Sequence, residues 1–151
     1  MKQKKRVFRV IAMVLAMVFI FPLNALASEK PSIDIKGSHY LISYSAYTYA
    51  AGKGKIQVWF DVIGTREMAD LGALSIKIYE STDYDHWTWV KTFTNKDTPD
   101  ILGHNTSTFN SHVDYQGVAG RYYKAQICIW GGLDNEHGDT RYFWTSIEKA
   151  T

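Results

Sequence analysis

The densest group of chemistry-bearing side chains lies at Asp134-Asn135-Glu136-His137-Gly138-Asp139, three carboxylates within six residues. A hard cation such as calcium takes oxygen ligands from flexible loops, which makes Asp134, Glu136 and Asp139 weak calcium candidates. The spacing departs from D-x-[DN]-x-[DN]-G: the glycine arrives one residue early, at Gly138, and Glu136 stands where Asp or Asn belongs. A polar hairpin turn explains the same composition and is preferred, so no metal or cofactor is assigned. Five histidines, His39, His86, His104, His112 and His137, form no H-E-x-x-H or H-x-H pair. Zinc needs three or four convergent ligands, and no local spacing supplies two. His104 and His112 are near Asp97, Asp100 and Asp114 in the chain, a weak signal. There is no G-x-S-x-G elbow. The single cysteine, Cys128, falls mid-strand with no identifiable group to lower its pKa. A non-catalytic chain is expected. An extracellular hydrolase built on paired carboxylates is the least favoured reading, since the carboxylate separation it needs is invisible in a sequence.

Aromatic side chains give the stronger signal. The chain has 5 Trp, 10 Tyr and 7 Phe, of which only Phe8, Phe19 and Phe21 fall in the N-terminal 27 residues. A small β core does not easily absorb the rest. Trp59, Tyr122 and Trp130 have outward parity on strands whose other face is strongly apolar, and they are the expected ligand-binding residues. Aromatics on a flat β face suit sugar stacking or protein contact. The competing explanation is cross-strand packing, where such pairs stabilise a sheet by roughly 0.2–1 kcal/mol each.

The N-terminus indicates where such a face would work. Lys2, Lys4, Lys5, Arg6 and Arg9 precede an apolar run from Val10 to Leu23, closed by Ala25-Leu26-Ala27. This is the anatomy of a secretory signal peptide, residues 1–27, with cleavage expected after Ala27. The run is shorter than the roughly 18–20 residues that span a bilayer, so no stable membrane anchor is expected. Five of the 17 basic residues lie in this leader and none of the 15 acidic ones, which leaves the remainder at a net charge of −3. The basic character of the whole chain therefore belongs to the leader. Without a Lys/Arg stripe, a nucleic-acid partner is excluded. Asn105-Thr106-Ser107 matches a glycosylation sequon, read as chance beside a bacterial-type leader.

The elements that must position these residues are strands. Residues 28–38 form a short lead-in and 39–151 one domain. In Lys55–Ile63, Ile56, Val58, Phe60 and Val62 alternate with Gln57, Trp59 and Asp61, the period of a half-buried strand. The same reasoning gives strands at His39–Tyr49 (Ile42 and Ala46 inward), Leu74–Tyr79, Trp87–Thr94, Phe109–Tyr115, Tyr123–Ile129 and Thr140–Ile147, seven in all. Thr65–Leu71 lacks a second apolar turn and reads as a loop, at most one helical turn. Gly and Asp-containing turns separate the runs, as in an all-β sandwich.

The segment Gly117-Val118-Ala119-Gly120-Arg121-Tyr122-Tyr123-Lys124-Ala125 resembles the corner and penultimate strand of immunoglobulin-like and fibronectin-III-like domains. Tyr123 has the parity of the corner tyrosine there; Tyr122 is the rival. The hairpin Ser75–Phe93, with Trp87 and Trp89, suits the middle strands. The resemblance implies a seven-stranded antiparallel immunoglobulin-like β-sandwich, from which the chain departs in having no disulfide pair and no core-facing Trp59. As a whole the chain also resembles small secreted proteins of Gram-positive bacteria with no assigned function. The expected role is a secreted, extracellular binding module that contacts carbohydrate or protein through an aromatic face. The alternative is a small secreted effector of the toxin or bacteriocin kind.

Overall fold

The structure, a computed structural model, describes residues 38–151. The expected leader (1–27) and almost all of the lead-in lie outside the described residues. Among the described residues seven strands form one antiparallel sheet: β1 (Leu41–Gly52), β2 (Lys55–Ser81), β3 (Thr88–Thr94), β4 (Leu102–Gln116), β5 (Tyr122–Gly132), β6 (Gly138–Trp144) and β7 (Glu148–Lys149), with a 3-10 turn at Pro99–Ile101. No helix among the described residues is long and apolar enough to cross a membrane.

β2 organises the fold. It is 27 residues long and changes partners along its length. Its first half lies between β1 and β4, from Lys55 to Ile63. Its second half pairs with β5 on one side, from Asp70 to Ser81, and with β3 on the other, from Ser75 to Glu80. β6 extends the sheet beyond β5, and β7 pairs with the start of β5. The sheet thus has two halves joined through one strand. Their inner faces, Ile56, Val58, Phe60 and Val62 in one and Ile76, Ile78, Ala125, Ile127 and Ile129 in the other, belong to a single buried cluster. Cross-contacts fasten the halves: Thr48 and Thr145 share a hydroxyl hydrogen bond of 2.8 Å, and the Gly54 N–H donates to the Thr151 carbonyl at 2.7 Å.

The segment read as a loop, Thr65–Leu71, is part of β2. Between Ile63 and Met68 β2 advances five residues while β4 advances two, from Thr108 to Thr106, so three residues of β2 bulge out. The backbone there still finds partners: the Thr65 N–H donates to the Tyr40 carbonyl at 2.9 Å, and Met68 and Leu71 are buried. A bulge breaks period two, which hides the strand from pattern reading. The same effect reverses Ile42. A register shift between Leu41 and Ser43 turns Leu41 inward and leaves Ile42 51% exposed. The count of seven strands agrees with expectation, but two expected strands are one, and the seventh is the short β7.

Of the two tyrosines that open β5, Tyr123 is the buried one. Its side chain is fully buried, and its hydroxyl accepts from the Val118 N–H at 2.8 Å and donates to the Glu80 carboxylate, which also pairs with Arg121.

Candidate binding face

Register places side chains on faces, so the outer surface of each half-sheet can be read row by row. On the first half-sheet, Tyr47, Trp59 and His112 form one row. The Trp59 and His112 rings stack at 4.2 Å between centroids and 17° between planes, and the Trp59 indole N–H donates to Gln57 Oε1 at 3.2 Å. Trp59 is therefore half-buried, with one ring face covered by a neighbour.

The outer face of the second half-sheet is different. One row holds Trp89, Tyr79 and Lys124; the next holds Thr92, Lys77, Gln126 and Trp144; a third holds Thr94, Ser75, Cys128 and Tyr142. Among the described residues these rows contain no carboxylate and no aliphatic side chain. Trp89 is 61% exposed and Tyr142 68%. The Lys124 ammonium lies over two indole rings, 4.1 Å from the Trp87 centroid and 4.8 Å from that of Trp144, and burial there pushes its pKa down. Tyr79 packs on Trp144 at 5.1 Å, and Tyr84 meets Tyr122 edge-on at 5.2 Å. Cation–π and aromatic contacts of this kind hold rings in fixed orientations. Cys128 lies beneath Tyr142 and hydrogen-bonds to it; burial pushes its thiol pKa up, the reverse of a reactive cysteine.

The three expected binding residues are not one patch. Trp59 is on the first half-sheet. Tyr122 and Trp130 share the outer side of β5 but are eight residues apart, about 26 Å at strand rise. Tyr122 is at the end near Tyr84, with Lys149 over its ring at 5.3 Å. Trp130 is at the other end, against Gly132 and Gly138, where a Cβ would fall 2.5 Å and 2.4 Å from its ring. It lines a shallow cavity of about 280 Å³. Between the two run the aromatic rows. Sequence reading missed Trp89, Tyr142 and Trp144 as binding candidates: Trp89 precedes a register shift in the β2–β3 pairing, and the parity of β6 follows only from its pairing with β5. Alternation does place Tyr79 outward. Trp87 and Tyr84, outside any strand, carry no period at all.

The acidic loop serves its own turn. Asp134 Oδ1 accepts from the Glu136 and His137 N–H groups, each at 2.8 Å, and Asp139 Oδ2 accepts from the Tyr40 N–H at 3.4 Å. Among the described residues no three His, Cys, Asp or Glu side chains gather as a metal site. Asp–His pairs occur at Asp70–His104 (2.5 Å), Asp83–His86 (2.7 Å) and Asp134–His137 (2.9 Å). No family model, curated protein or solved structure matches this chain.

Proposed function

We propose that this chain is a secreted, non-catalytic binding module that works outside the cell after removal of residues 1–27, and that its contact surface is the outer face of the second half-sheet. The observation that carries this is the continuous set Tyr79, Trp89, Lys124, Tyr142 and Trp144, exposed or half-exposed and free of carboxylates among the described residues. Exposed aromatics cost solubility, and a contiguous group of them marks an interaction surface. Large rigid rings with few torsions also bind at low entropic cost. Kinship with immunoglobulin-like sandwiches is part of the proposal. The Tyr123 corner and the β2–β3 hairpin support it; a single strand running through both half-sheets is a departure from that pattern.

The test is a binding screen of the exported protein against glycan arrays and immobilised extracellular proteins, repeated with Trp89→Ala/Tyr142→Ala and with Trp59→Ala. Both residues of the double variant are largely exposed, so folding should survive. The double variant is expected to weaken binding on the order of tenfold or more, and Trp59→Ala to leave it unchanged. Retention of every ligand by the double variant would refute the assignment of this face.

A further inference from the structure

At the Trp130 end of the same face, β2 exchanges one neighbour for another. β4 leaves it at Leu102, opposite Gly72, and β3 joins it at Thr94, opposite Ser75. Residues 95–101 bridge the gap, so the sheet lacks a continuous neighbour strand there, and this opens the cavity of about 280 Å³. Its apolar walls are Trp130, Leu74 and Leu102. Its polar groups are Asp70, Asn95, Asn135 and Thr140, of which Asp70 alone is charged. His104 holds the Asp70 carboxylate at 2.5 Å and leaves its other oxygen available. The side chains of Asn95, Asn135 and Thr140 have no hydrogen-bond partner among the described residues. Three unengaged polar side chains line this cavity together with an aromatic wall, and four polar against three apolar lining residues suit a small hydrophilic ligand whose orientation the polar groups fix.

We infer that this cavity binds one neutral sugar ring of a glycan, whose C–H face stacks on Trp130 and whose hydroxyls bond to Asp70, Asn95, Asn135 and Thr140. The inference rests on the proposed binding role and specifies its ligand class. A sugar ring presents C–H groups on one face and hydroxyls around its edge, which matches an aromatic wall beside amide, hydroxyl and carboxylate groups. With no Lys or Arg in the lining, nothing there would favour an acidic sugar. The volume is close to the lower end for ligand sites, room for a single ring.

The experiment is a ¹H–¹⁵N NMR titration of the exported protein with glucose, galactose, mannose, N-acetylglucosamine and their disaccharides. One or more of these is expected to shift the Trp130 indole N–H and the Asn95 and Asn135 side-chain amides. Asn95→Ala and Asn135→Ala, which remove no side-chain hydrogen bond among the described residues, should each weaken that sugar by up to about tenfold, the value of one hydrogen bond. Trp130→Phe should retain part of the affinity. Sugar binding that shifts Trp89 and Tyr142 but not Trp130, and that ignores the Asn variants, would overturn this inference and leave the aromatic-face reading standing. Binding to immobilised proteins alone, with no sugar response, would do the same. Absence of any ligand in both experiments would overturn both.

Discussion

Tyr123 shows how much one residue can tie together. Its ring is in the core, and its hydroxyl joins the Val118 backbone to Glu80 and, through it, to Arg121. Tyr123→Phe keeps the ring and strands these partners, so unfolding free energy should fall by about 1–3 kcal/mol, read by urea denaturation. Burial, with the hydrogen bond to Glu80, pushes the Tyr123 pKa up to about 12. A folded value above the unfolded one, near 10, means that the native state holds the proton more tightly. The stability is complete below about pH 10 and is lost as pH rises through about 12. Carboxylates give the opposite window. Asp83 is held down by the His86 N–H, Asp114 by Lys55, Asp134 by the Glu136 N–H and Asp139 by the Ser38 hydroxyl. Lowered values stabilise above the ordinary carboxylate range and lose that contribution as pH falls through the folded values. The melting temperature should therefore hold steady at mildly acidic pH and drop below about pH 4, with a shallower drop in Asp114→Asn. A melting temperature independent of acid would contradict these assignments. Tyr123 was legible in the sequence because corner parity is local. The separation of Trp59 from Tyr122 and Trp130 was not, because it depends on which half of β2 each strand pairs with; that between Tyr122 and Trp130 follows from their eight-residue spacing on one strand.

At the scale of elements, β2 determines what pattern reading could and could not recover. Its first nine residues, Lys55 to Ile63, alternate cleanly, and period two recovers them. Its middle bulges, and there the pattern suggested a loop. Periodicity detects pairing only where one residue faces one residue, so a bulge that adds three residues erases the signal while the backbone bonds continue. The same strand supplies a sharp test at Gly72, which pairs with both Leu102 and Trp130. Its φ is +149°, and an added Cβ would fall 2.5 Å from the Ile101 carbonyl oxygen, a backbone atom that cannot swing away. Gly72→Ala should destabilise the fold by about 1–3 kcal/mol. A variant with unchanged denaturation midpoint would show that β2 does not pass between β4 and β5 here as described. The hairpin of β2 with β3 was legible because its turn, Ser81–Asp85, is short and polar. The Ser81 hydroxyl accepts from the Tyr84 N–H at 2.9 Å and Asp83 from the His86 N–H at 2.8 Å.

For the whole molecule, the important fact is an uneven surface. The described domain has 10 basic and 13 acidic residues, yet the outer rows of the second half-sheet hold Lys77 and Lys124 among the aromatics and no acid. The acidic residues lie outside these rows: in the loops, at Asp61 and Asp114 on the other half-sheet, and at Asp70, Glu80, Asp139 and Glu148 elsewhere on the second. An all-β class, an unbridged Cys128 and an aromatic surplus were all readable from composition and period. Which aromatics share a face was a matter of register between distant strands, and no local window contains it. On the proposed reading, this one face is where the protein meets its ligand. The most direct measurement is a ¹H–¹⁵N shift map of the exported protein with the tightest ligand from the binding screen. Shifts should concentrate on Tyr79, Trp89, Lys124, Tyr142 and Trp144, and extend to Trp130, Asn95 and Asn135 at the end of the same face when the ligand is a glycan. Shifts concentrated instead on Tyr47, Trp59 and His112, with those residues silent, would contradict this reading.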